Sequence, residues 1–369
     1  MSEPQTPLES PSSESSSGVL DVLRRERVFI IVLSMAFLTA ALSYPYAQVA
    51  MWVGFAFAGY SAIANDSIQT IGTFIASNRE RPWWHLWGFI GGIFLVTVTW
   101  SWMNYGGDVS YGRLASKGFE KAPESFQFLQ LAAPLFLLVL TRLRMPVSTT
   151  FLLLTSFAAS GKSIVSVVTK SVSGYAIAFV IAISVWGILG PWMKRQFTGT
   201  AHPMWRVFQW CSTGFLWSVW LQQDAANIAV FLPRSLSFME FAAFASAIFG
   251  GLGLLFYMGG EKIQEVVDEK SDVVDVRAAT VIDFIYALIL LYFKMHSQIP
   301  MSTTWVFVGL LGGRELAMAF RKANSDGRTT SAAFKLMARD LIYVTIGFLV
   351  ALLLASAINP VVREGFFGS

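Results

Sequence analysis

Long apolar segments dominate this chain, and they leave few folds open to it. Runs that begin near Val28, Leu86, Gly174 and Leu341 reach about the length that crosses a bilayer, which is ~20 residues for a helix. Only 14% of the residues are charged, whereas a soluble domain carries roughly 25%. The chain therefore has too little polar surface to cover a water-facing globule of its size. The sequence predicts an all-α polytopic membrane protein.

Two pairs of motifs indicate an internal duplication. Pro-x-Ser-Thr-Thr occurs at 146–150 and again at 300–304, an offset of 154 residues. Upstream of each copy, an amide side chain precedes an aspartate and a second amide follows three residues later. These elements are Asn65-Asp66-x-x-Gln69 and Gln223-Asp224-x-x-Asn227, and their aspartates are 158 residues apart. Two features that recur in the same order at nearly the same offset are typical of a duplicated chain.

The apolar segments divide into one leading span, at 28–46, and two sets of five. The first set is predicted at about 47–76, 85–103, 126–143, 146–171 and 174–192. The second set is predicted at about 205–234, 238–258, 278–294, 300–324 and 340–358. An odd number of spans per repeat places the second repeat upside down relative to the first, which is a common plan of secondary transporters. The fold prediction is two inverted-topology repeats with broken or re-entrant helices and about 11 crossings.

The predicted divisions of the chain follow from these spans. They are a disordered N-terminal tail at 1–24, a leading transmembrane helix at 25–46, the first inverted repeat at 47–195, the second at 196–358 and a C-terminal tail at 359–369. With the N-terminus in the cytoplasm, 19 of the 27 lysines and arginines fall on the cytoplasmic side, as the positive-inside rule requires. We therefore expect a multi-pass protein of the plasma (inner) membrane. The net charge of +4 reflects these loops and implies no nucleic-acid partner.

The two Pro-x-Ser-Thr-Thr motifs are candidate anion sites. Proline suits the first turn of a helix because it has no N–H to leave unpaired there, and Ser or Thr can cap the remaining amides. A single copy would indicate an ordinary helix start. Two such starts at membrane depth, with hydroxyls at the positive ends of two helix dipoles, would hold one oxyanion from both sides.

The two aspartates are candidate cation sites. A buried Asp in an apolar span costs roughly 2.5–3.5 kcal/mol on insertion scales, so Asp66 and Asp224 are expensive to keep. A single such residue is equally consistent with a hydrogen bond between two helices or with a loop cap, but two matched copies favour a functional site. Carboxylate and amide oxygens are ligands for hard cations such as sodium.

The paired motifs resemble those of the inorganic phosphate transporter (PiT) family of phosphate/sulfate permeases. That family has a Gly-Ala-Asn-Asp-x-x-Asn element and a Pro-x-Ser-Thr-Thr-His element in each half. The matching residues here are Ala64-Asn65-Asp66, Gly72-Thr73, Asp224-x-x-Asn227, both Pro-x-Ser-Thr-Thr copies and the stretch GGEKIQEVVDEK from Gly259. The resemblance covers about 47–325.

The resemblance implies import of inorganic phosphate by alternating access, coupled to sodium or protons, with no cofactor. It implies an anion site at Ser148, Thr149, Thr150, Ser302, Thr303, Thr304, Asn65 and Gln223. It implies cation ligation at Asp66, Gln69, Asp224 and Asn227, with sodium at the two aspartates. The amides offer both a donor and an acceptor, so each suits either ion.

The chain departs from the family pattern at positions next to the proposed ion ligands. Phe151 and Trp305 stand where the family has His, and Gln69 and Gln223 stand where it has Asn. Two alternatives therefore stay open: a permease for sulfate or another oxyanion, and a non-transporting membrane sensor with the same fold. Retention of both aspartates favours phosphate, because phosphate can donate a hydrogen bond to a buried carboxylate near neutral pH and sulfate cannot.

Other classes of protein fit less well. Ser148 and Ser302 have no evident base beside them, so we do not expect an enzyme. The single cysteine, Cys211, excludes an internal disulfide. Glycines such as Gly91 and Gly250 would permit close helix packing, either within one chain or between two copies in a homodimer.

Overall fold

The chain forms an assembly of helices. The computed structural model describes residues 26–115, 119–143, 147–258, 275–297, 299–320 and 330–367, and this part contains no β-strand. Its α-helices are α1 Arg27–Ser43, α2 Ala47–Ser61, α3 Ser67–Ser77, α4 Trp83–Asn104, α5 Phe128–Arg142, α6 Gly161–Gln196, α7 Met204–Ala229, α8 Phe238–Tyr257, α9 Val276–His296, α10 Thr303–Phe320, α11 Thr330–Ile358 and α12 Pro360–Phe367. Two π-helical segments occur at Ala62–Asp66 and Thr150–Leu154. The predicted tail at 1–24, Pro146 and the stretch from Gly259 lie outside the described residues.

The helices have the length and the surface of a membrane protein. Within the described ranges, six segments are long and apolar enough to cross a bilayer: Ala47–Asp66, Trp83–Asn104, Gly161–Met193, Phe238–Tyr257, Val276–His296 and Met337–Ile358. Helices α1 and α5 are shorter apolar helices. Large apolar side chains such as Val96, Ile188 and Leu353 are more than 60% exposed. An apolar exterior of this extent marks a surface that faces lipid. The prediction of an all-α membrane protein is confirmed.

Specific contacts give the relative directions of the helices. Trp87 near the start of α4 donates to the carbonyl of Phe249 late in α8 (3.0 Å), and Trp102 near the end of α4 donates to the carbonyl of Leu236 just before α8 (2.8 Å). Helices α4 and α8 are therefore antiparallel.

Two further pairs follow from contacts of the same kind. Asn78, at the end of α3, donates to Gln209 near the start of α7 (3.0 Å). Gly54 in α2 packs on Phe231, just after α7. The α2–α3 segment thus runs antiparallel to α7. Helix α11 runs antiparallel to α10, because Met337 packs near Gly312 and Phe348 lies against Trp305.

Helix α6 differs from the prediction. The sequence predicted spans at 146–171 and 174–192 with a turn between them, whereas the structure has one continuous helix of 36 residues, about 54 Å long at 1.5 Å per residue. It begins after Ser160, whose side chain accepts a hydrogen bond from the Ser163 amide. The chain that precedes it, from 147 to 157, is short and partly π-helical.

The small residues near 171–174 caused this error. They resemble a turn, but they serve close packing between α6 and α10. Ser171 accepts a hydrogen bond from the Ser302 amide (2.8 Å), and a Cβ on Gly174 would lie 2.8 Å from Met301 and 2.9 Å from Val306. Gly313 in α10 packs on Phe179 in α6. Residues near 171–174 of α6 contact the start of α10, and Phe179, later in α6, contacts Gly313, later in α10. Helices α6 and α10 therefore run parallel.

The acidic motifs do not break their helices. The sequence predicted interrupted helices at both, but the first motif lies on the π-helical segment between α2 and α3, with helical backbone on both sides. Helix α7 passes through Asp224 without interruption. A π-helical turn accommodates one extra residue within a helix, and such turns are frequent at functional sites.

Candidate functional site

The first acidic motif bonds to the first Ser-Thr-Thr motif inside the helix assembly. Asp66 is 2% exposed. Its Oδ1 accepts a hydrogen bond from the side chain of Asn65 (2.8 Å) and its Oδ2 accepts one from the Thr149 hydroxyl (2.6 Å). Asn65 Nδ2 also lies 3.5 Å from the carbonyl oxygen of Val147. The π-helical segment between α2 and α3 is therefore joined directly to the chain that leads into Ser148-Thr149-Thr150.

The second acidic motif reaches the same hydroxyls from the other half of the chain. Asp224 is 2% exposed, and its Oδ1 accepts a hydrogen bond from Asn227 Nδ2, one turn later on α7 (2.7 Å). The same amide nitrogen lies 3.1 Å from the Thr149 hydroxyl and 3.2 Å from the Thr150 hydroxyl. Asn227 thus connects Asp224 to the motif that also binds Asp66.

The second Ser-Thr-Thr motif closes the cluster. The Thr150 hydroxyl donates to the carbonyl of Met301 (3.2 Å), so the two motifs are in direct contact. Thr303 lies beside the Asp224 carboxylate, and its carbonyl accepts a hydrogen bond from the Tyr286 hydroxyl (3.0 Å). Thr304 is 3% exposed. The two halves therefore contribute aspartates and hydroxyls to one buried polar cluster.

The two serines have the same role in their halves. The Ser148 hydroxyl accepts a hydrogen bond from the Phe151 amide (3.3 Å), and the Ser302 hydroxyl accepts one from the Trp305 amide (3.2 Å). Each serine therefore caps the helical turn that follows it. A hydroxyl that accepts in this way still has its own hydrogen to donate to an acceptor such as an oxyanion.

Three acceptor oxygens of α7 are buried without a hydrogen-bond partner in the described part of the chain: Gln223 Oε1, Asp224 Oδ2 and Asn227 Oδ1. These residues are 1–2% exposed. A buried acceptor without a donor costs roughly 1–3 kcal/mol, and more when it is charged. Oxygen atoms are the ligands that hard cations prefer. The arrangement is suited to a bound cation or a proton.

Most of the predicted site residues meet in this cluster, and two need separate comment. Gln223 was predicted as an anion donor, but its amide nitrogen donates to the carbonyl of Leu290 on α9 (2.9 Å). The side-chain atom of Gln223 that has no partner in the described part of the chain is the acceptor oxygen Oε1, which suits a cation better than an anion. The backbone of Gln69 lies in α3, and its side chain lies outside the described residues.

Asp283 is a third buried carboxylate that the motif comparison missed. It lies on α9 and is 1% exposed. Its Oδ1 accepts a hydrogen bond from Thr73 on α3 (2.7 Å), and its Oδ2 accepts one from Thr213 on α7 (2.5 Å). The sequence alone could have indicated Asp283, because an Asp in the middle of an apolar segment is as costly to insert into a membrane as Asp66. Asp283 has no counterpart in the first half, so the comparison of the two halves does not single it out.

The two aromatic residues that follow the Ser-Thr-Thr motifs lie against each other. The Phe151 and Trp305 rings meet edge to face with centroids 5.5 Å apart, and both rings contact Phe348 on α11. They form an apolar layer where each Ser-Thr-Thr motif continues into its helix.

Comparisons with known proteins add no relative. No family model matches the chain, and neither the curated proteins nor the solved structures contain a significant match to it.

Proposed function

We propose that this protein is a secondary active transporter that imports inorganic phosphate together with sodium or protons by alternating access. The observation that carries the proposal is the convergence of two Ser-Thr-Thr helix starts and two aspartates, one of each from either half, in a single buried cluster. The resemblance of the paired motifs to the PiT family supports the choice of phosphate. The buried polar groups would be costly in a protein that only packs helices.

The helix directions support the inverted repeat on which alternating access would depend. If the second repeat is inverted, each span must run antiparallel to its equivalent. The contacts described above give this relation for α2–α3 with α7 and for α4 with α8. Helix α6 runs parallel to α10, and α11 runs antiparallel to α10, so α6 and α11 are also antiparallel. Residues 161–171 of α6, which the sequence prediction grouped with the equivalent of α10, run parallel to α10 and do not fit this relation. The proposal keeps an inner membrane with the N-terminus in the cytoplasm, and it reaches eleven membrane segments by counting the short chain at 147–157 separately from α6.

The polar groups divide between an anion and a cation. The hydroxyls of Ser148 and Ser302 are donors at the starts of two helical segments, which suits an oxyanion. The unpartnered oxygens of Asp224 and Asn227 are acceptors, which suits sodium or a proton. A cation there would offset both the carboxylate charge and the charge of the anion, so that the pair would cross the membrane with less charge than the anion alone.

Phosphate is favoured over sulfate as the anion for a chemical reason. Both ions accept hydrogen bonds from hydroxyls and amides. Near neutral pH phosphate also carries a proton that it can donate to a carboxylate, and sulfate does not. A site with two buried aspartates would therefore repel sulfate more strongly than phosphate.

A non-transporting sensor is the second candidate, and the aromatic layer favours it. Phe151 and Trp305 replace His at both copies of the family motif and pack on each other and on Phe348. An apolar layer at this place could hold the two helix starts together and prevent them from separating during transport. A sensor would bind the anion without moving it.

Uptake into proteoliposomes tests the proposal. We expect radiolabelled phosphate to accumulate faster than radiolabelled sulfate, and an inward sodium or proton gradient to drive it. Asp66→Asn and Asp224→Asn should each lower uptake at least tenfold while the purified protein stays monodisperse. Asp340→Asn is a control, since it removes a carboxylate that is about a quarter exposed and lies outside the cluster.

Each alternative gives a different result. Preferred uptake of sulfate would identify a permease for that anion. Binding of phosphate without uptake would identify a sensor. Unchanged uptake in Asp66→Asn or Asp224→Asn would refute the cation role of the aspartates.

A further inference from the structure

Three cationic side chains from separate parts of the chain converge beside the proposed transport site. Arg113 comes from the connection between α4 and α5 and is 0% exposed. Its Nε donates to the carbonyl of Gln222 (2.6 Å) and its Nη1 to the carbonyl of Ile299 (3.2 Å). Lys170 on α6 donates to the carbonyl of Ser297 (3.1 Å) and also to that of Ile299.

Lys294 completes the cluster. Its ammonium group lies over the ring of Tyr111, 5.1 Å from the centroid, and it is close enough to Arg113 for the two charges to repel. Lys170 is also within electrostatic reach of Arg113. Arg113, Lys170 and Lys294 together form the outer cationic cluster.

The outer cationic cluster borders the transport site along the chain and in space. Ile299 lies three residues before Ser302, and Gln222 is two residues before Asp224. Arg113 bonds to both carbonyls, so it joins the segment that enters the second Ser-Thr-Thr motif to the turn that precedes the second aspartate. The cluster occupies the side of the site toward which α9 ends and from which α10 starts, which the predicted topology places outside the cell.

The two lysines of this cluster are not paired with carboxylates of the described part of the chain. Neither lysine forms an ion pair with any acidic residue in the described ranges. Burial lowers the pKa of the Arg113 guanidinium to about 10, and the charge of Asp224 opposes that shift, so the group stays cationic at physiological pH. Asp224 is thus the negative charge that Arg113 senses, and it lies on the transport-site side of the cluster.

Hydrogen-bond donors remain in this cluster. An ammonium group has three donors, and Lys170 directs its bonds to two carbonyls. Lys294 donates no hydrogen bond within the described residues and rests on a ring face. Two half-buried lysines with spare donors and no carboxylate partner in the described residues, placed beside a buried arginine, have the chemistry of an anion site.

We propose that the outer cationic cluster is a second anion-binding site, which holds a tetrahedral oxyanion such as phosphate before it reaches the hydroxyl-rich transport site. An anion bound here neutralises the repulsion among the three cations. It also competes with the Gln222 and Ile299 carbonyls for Arg113, and so loosens the link that Arg113 makes on this side of the transport site. The direction of passage rests on the proposed function, but the binding site itself does not.

Equilibrium binding of radiolabelled phosphate to the purified full-length protein tests the inference. We expect two sites in the wild type. Lys170→Gln with Lys294→Gln should remove one of them, and Thr149→Val with Thr303→Val should remove the other. Lys162→Gln is the matched control, because this exposed lysine lies on the same helix as Lys170 and outside the cluster. Fewer than two sites in the wild type, or two sites retained in the lysine double variant, overturns the inference.

A single substitution distinguishes loss of the outer site from a folding defect. Lys294→Gln removes no hydrogen bond among the described residues, so it should fold as the wild type does, and we expect it to weaken the outer site at least fivefold. In proteoliposomes the same variant should raise the KM for phosphate by a similar factor and reduce its dependence on ionic strength, with little change in kcat. Two-site binding without any uptake would refute the proposed transport function and leave the outer site standing. If Lys294→Gln leaves both the KM for uptake and phosphate binding unchanged, the outer site is refuted and the proposed transport function stands.

Discussion

Asn227 and Thr149 belong to different halves of the chain, and the amide nitrogen of Asn227 lies 3.1 Å from the Thr149 hydroxyl that it bonds. Thr149 in turn donates to Asp66 (2.6 Å), while Asn227 also donates to Asp224 (2.7 Å). A single continuous hydrogen-bonded path therefore joins the two aspartates across the two halves. We expect a change in the ionisation or ligation of one aspartate to affect the other through this path.

We expect Asn227→Ala to abolish phosphate uptake and to lower stability. The substitution leaves Asp224 Oδ1 without its donor, and the loss of a hydrogen bond to a buried charged group costs roughly 1.5–3 kcal/mol. Uptake in proteoliposomes and thermal unfolding in detergent measure the two effects. Asn359→Ala is the matched control: Asn359 is also a buried amide, and it bonds the carbonyls of Thr155 and Ala158. It should lose stability without altering the sodium or proton dependence of the remaining uptake.

A different outcome would be informative. Should Asn227→Ala transport at the wild-type rate, the path between Asp66 and Asp224 would be a structural link only. Should Asn359→Ala alter the coupling ion's apparent affinity, loss of packing alone would explain both variants.

Much of the fold could be predicted from the sequence because apolar length and motif repetition are local signals. The helices and their order follow from the apolar segments, and the duplicated motifs named the aspartates and hydroxyls that the structure brings together. The turn at 171–174 was wrong because small residues look alike whether they form a turn or allow close packing. Contacts with residues far along the chain distinguish these cases: Ser171 bonds the Ser302 amide, 131 residues away, and Gly174 packs on Met301.

The partners of the other site residues depend on how each helix is rotated about its axis, which the sequence does not show. Nothing in the order of residues shows that Gln223 turns to Leu290 while Asp224, its neighbour, turns to Asn227. Asp283 is bonded by threonines from α3 and α7, 210 and 70 residues away. Arg113 lies in a connection whose sequence has no motif, so its burial against Gln222 and Ile299 could not be foreseen.

We expect Asp283→Asn to retain most of the uptake, unlike Asp66→Asn and Asp224→Asn. Both oxygens of Asp283 are occupied by the Thr73 and Thr213 hydroxyls, whereas Asp224 keeps one oxygen without a partner. An amide can replace the carboxylate here, because a threonine hydroxyl can rotate to accept a bond from the new N–H. The stability change should stay below about 1 kcal/mol, whereas Asp283→Ala should cost roughly 1–3 kcal/mol.

Uptake and thermal unfolding of both variants check this role. If Asp283→Asn loses uptake as completely as Asp224→Asn while it remains folded, then Asp283 takes part in ion coupling and is not simply a link between α3, α7 and α9.

The aromatic layer should separate transport from sensing. We expect Phe151→Leu to lower stability by less than about 1.5 kcal/mol, since it nearly conserves apolar volume, and Phe151→Ala to cost roughly 3–5 kcal/mol because it opens a cavity beside Trp305 and Phe348. In a transporter, Phe151→Leu should keep uptake within about twofold. Gain of uptake in this variant from a silent wild type would instead show that the aromatic layer locks a sensor.

Helices α6 and α10 approach so closely that two glycines of α10 leave no room for a methyl group. A Cβ on Gly309 would lie 2.4 Å from the carbonyl oxygen of Tyr175, and a Cβ on Gly313 would lie 2.4 Å from that of Phe179. The obstructing atoms belong to the backbone and cannot move aside as a flexible side chain would. We therefore expect Gly309→Ala and Gly313→Ala each to cost roughly 1–3 kcal/mol, as overpacking does, and to reduce uptake because α10 begins at the Ser302 cap.

Gly187→Ala, on α6, is the control, since its Cβ would meet nothing within 4 Å. Thermal unfolding of the three variants in one detergent measures the difference. Equal melting temperatures for Gly309→Ala and Gly187→Ala would mean that α6 and α10 lie farther apart in the membrane than the structure places them.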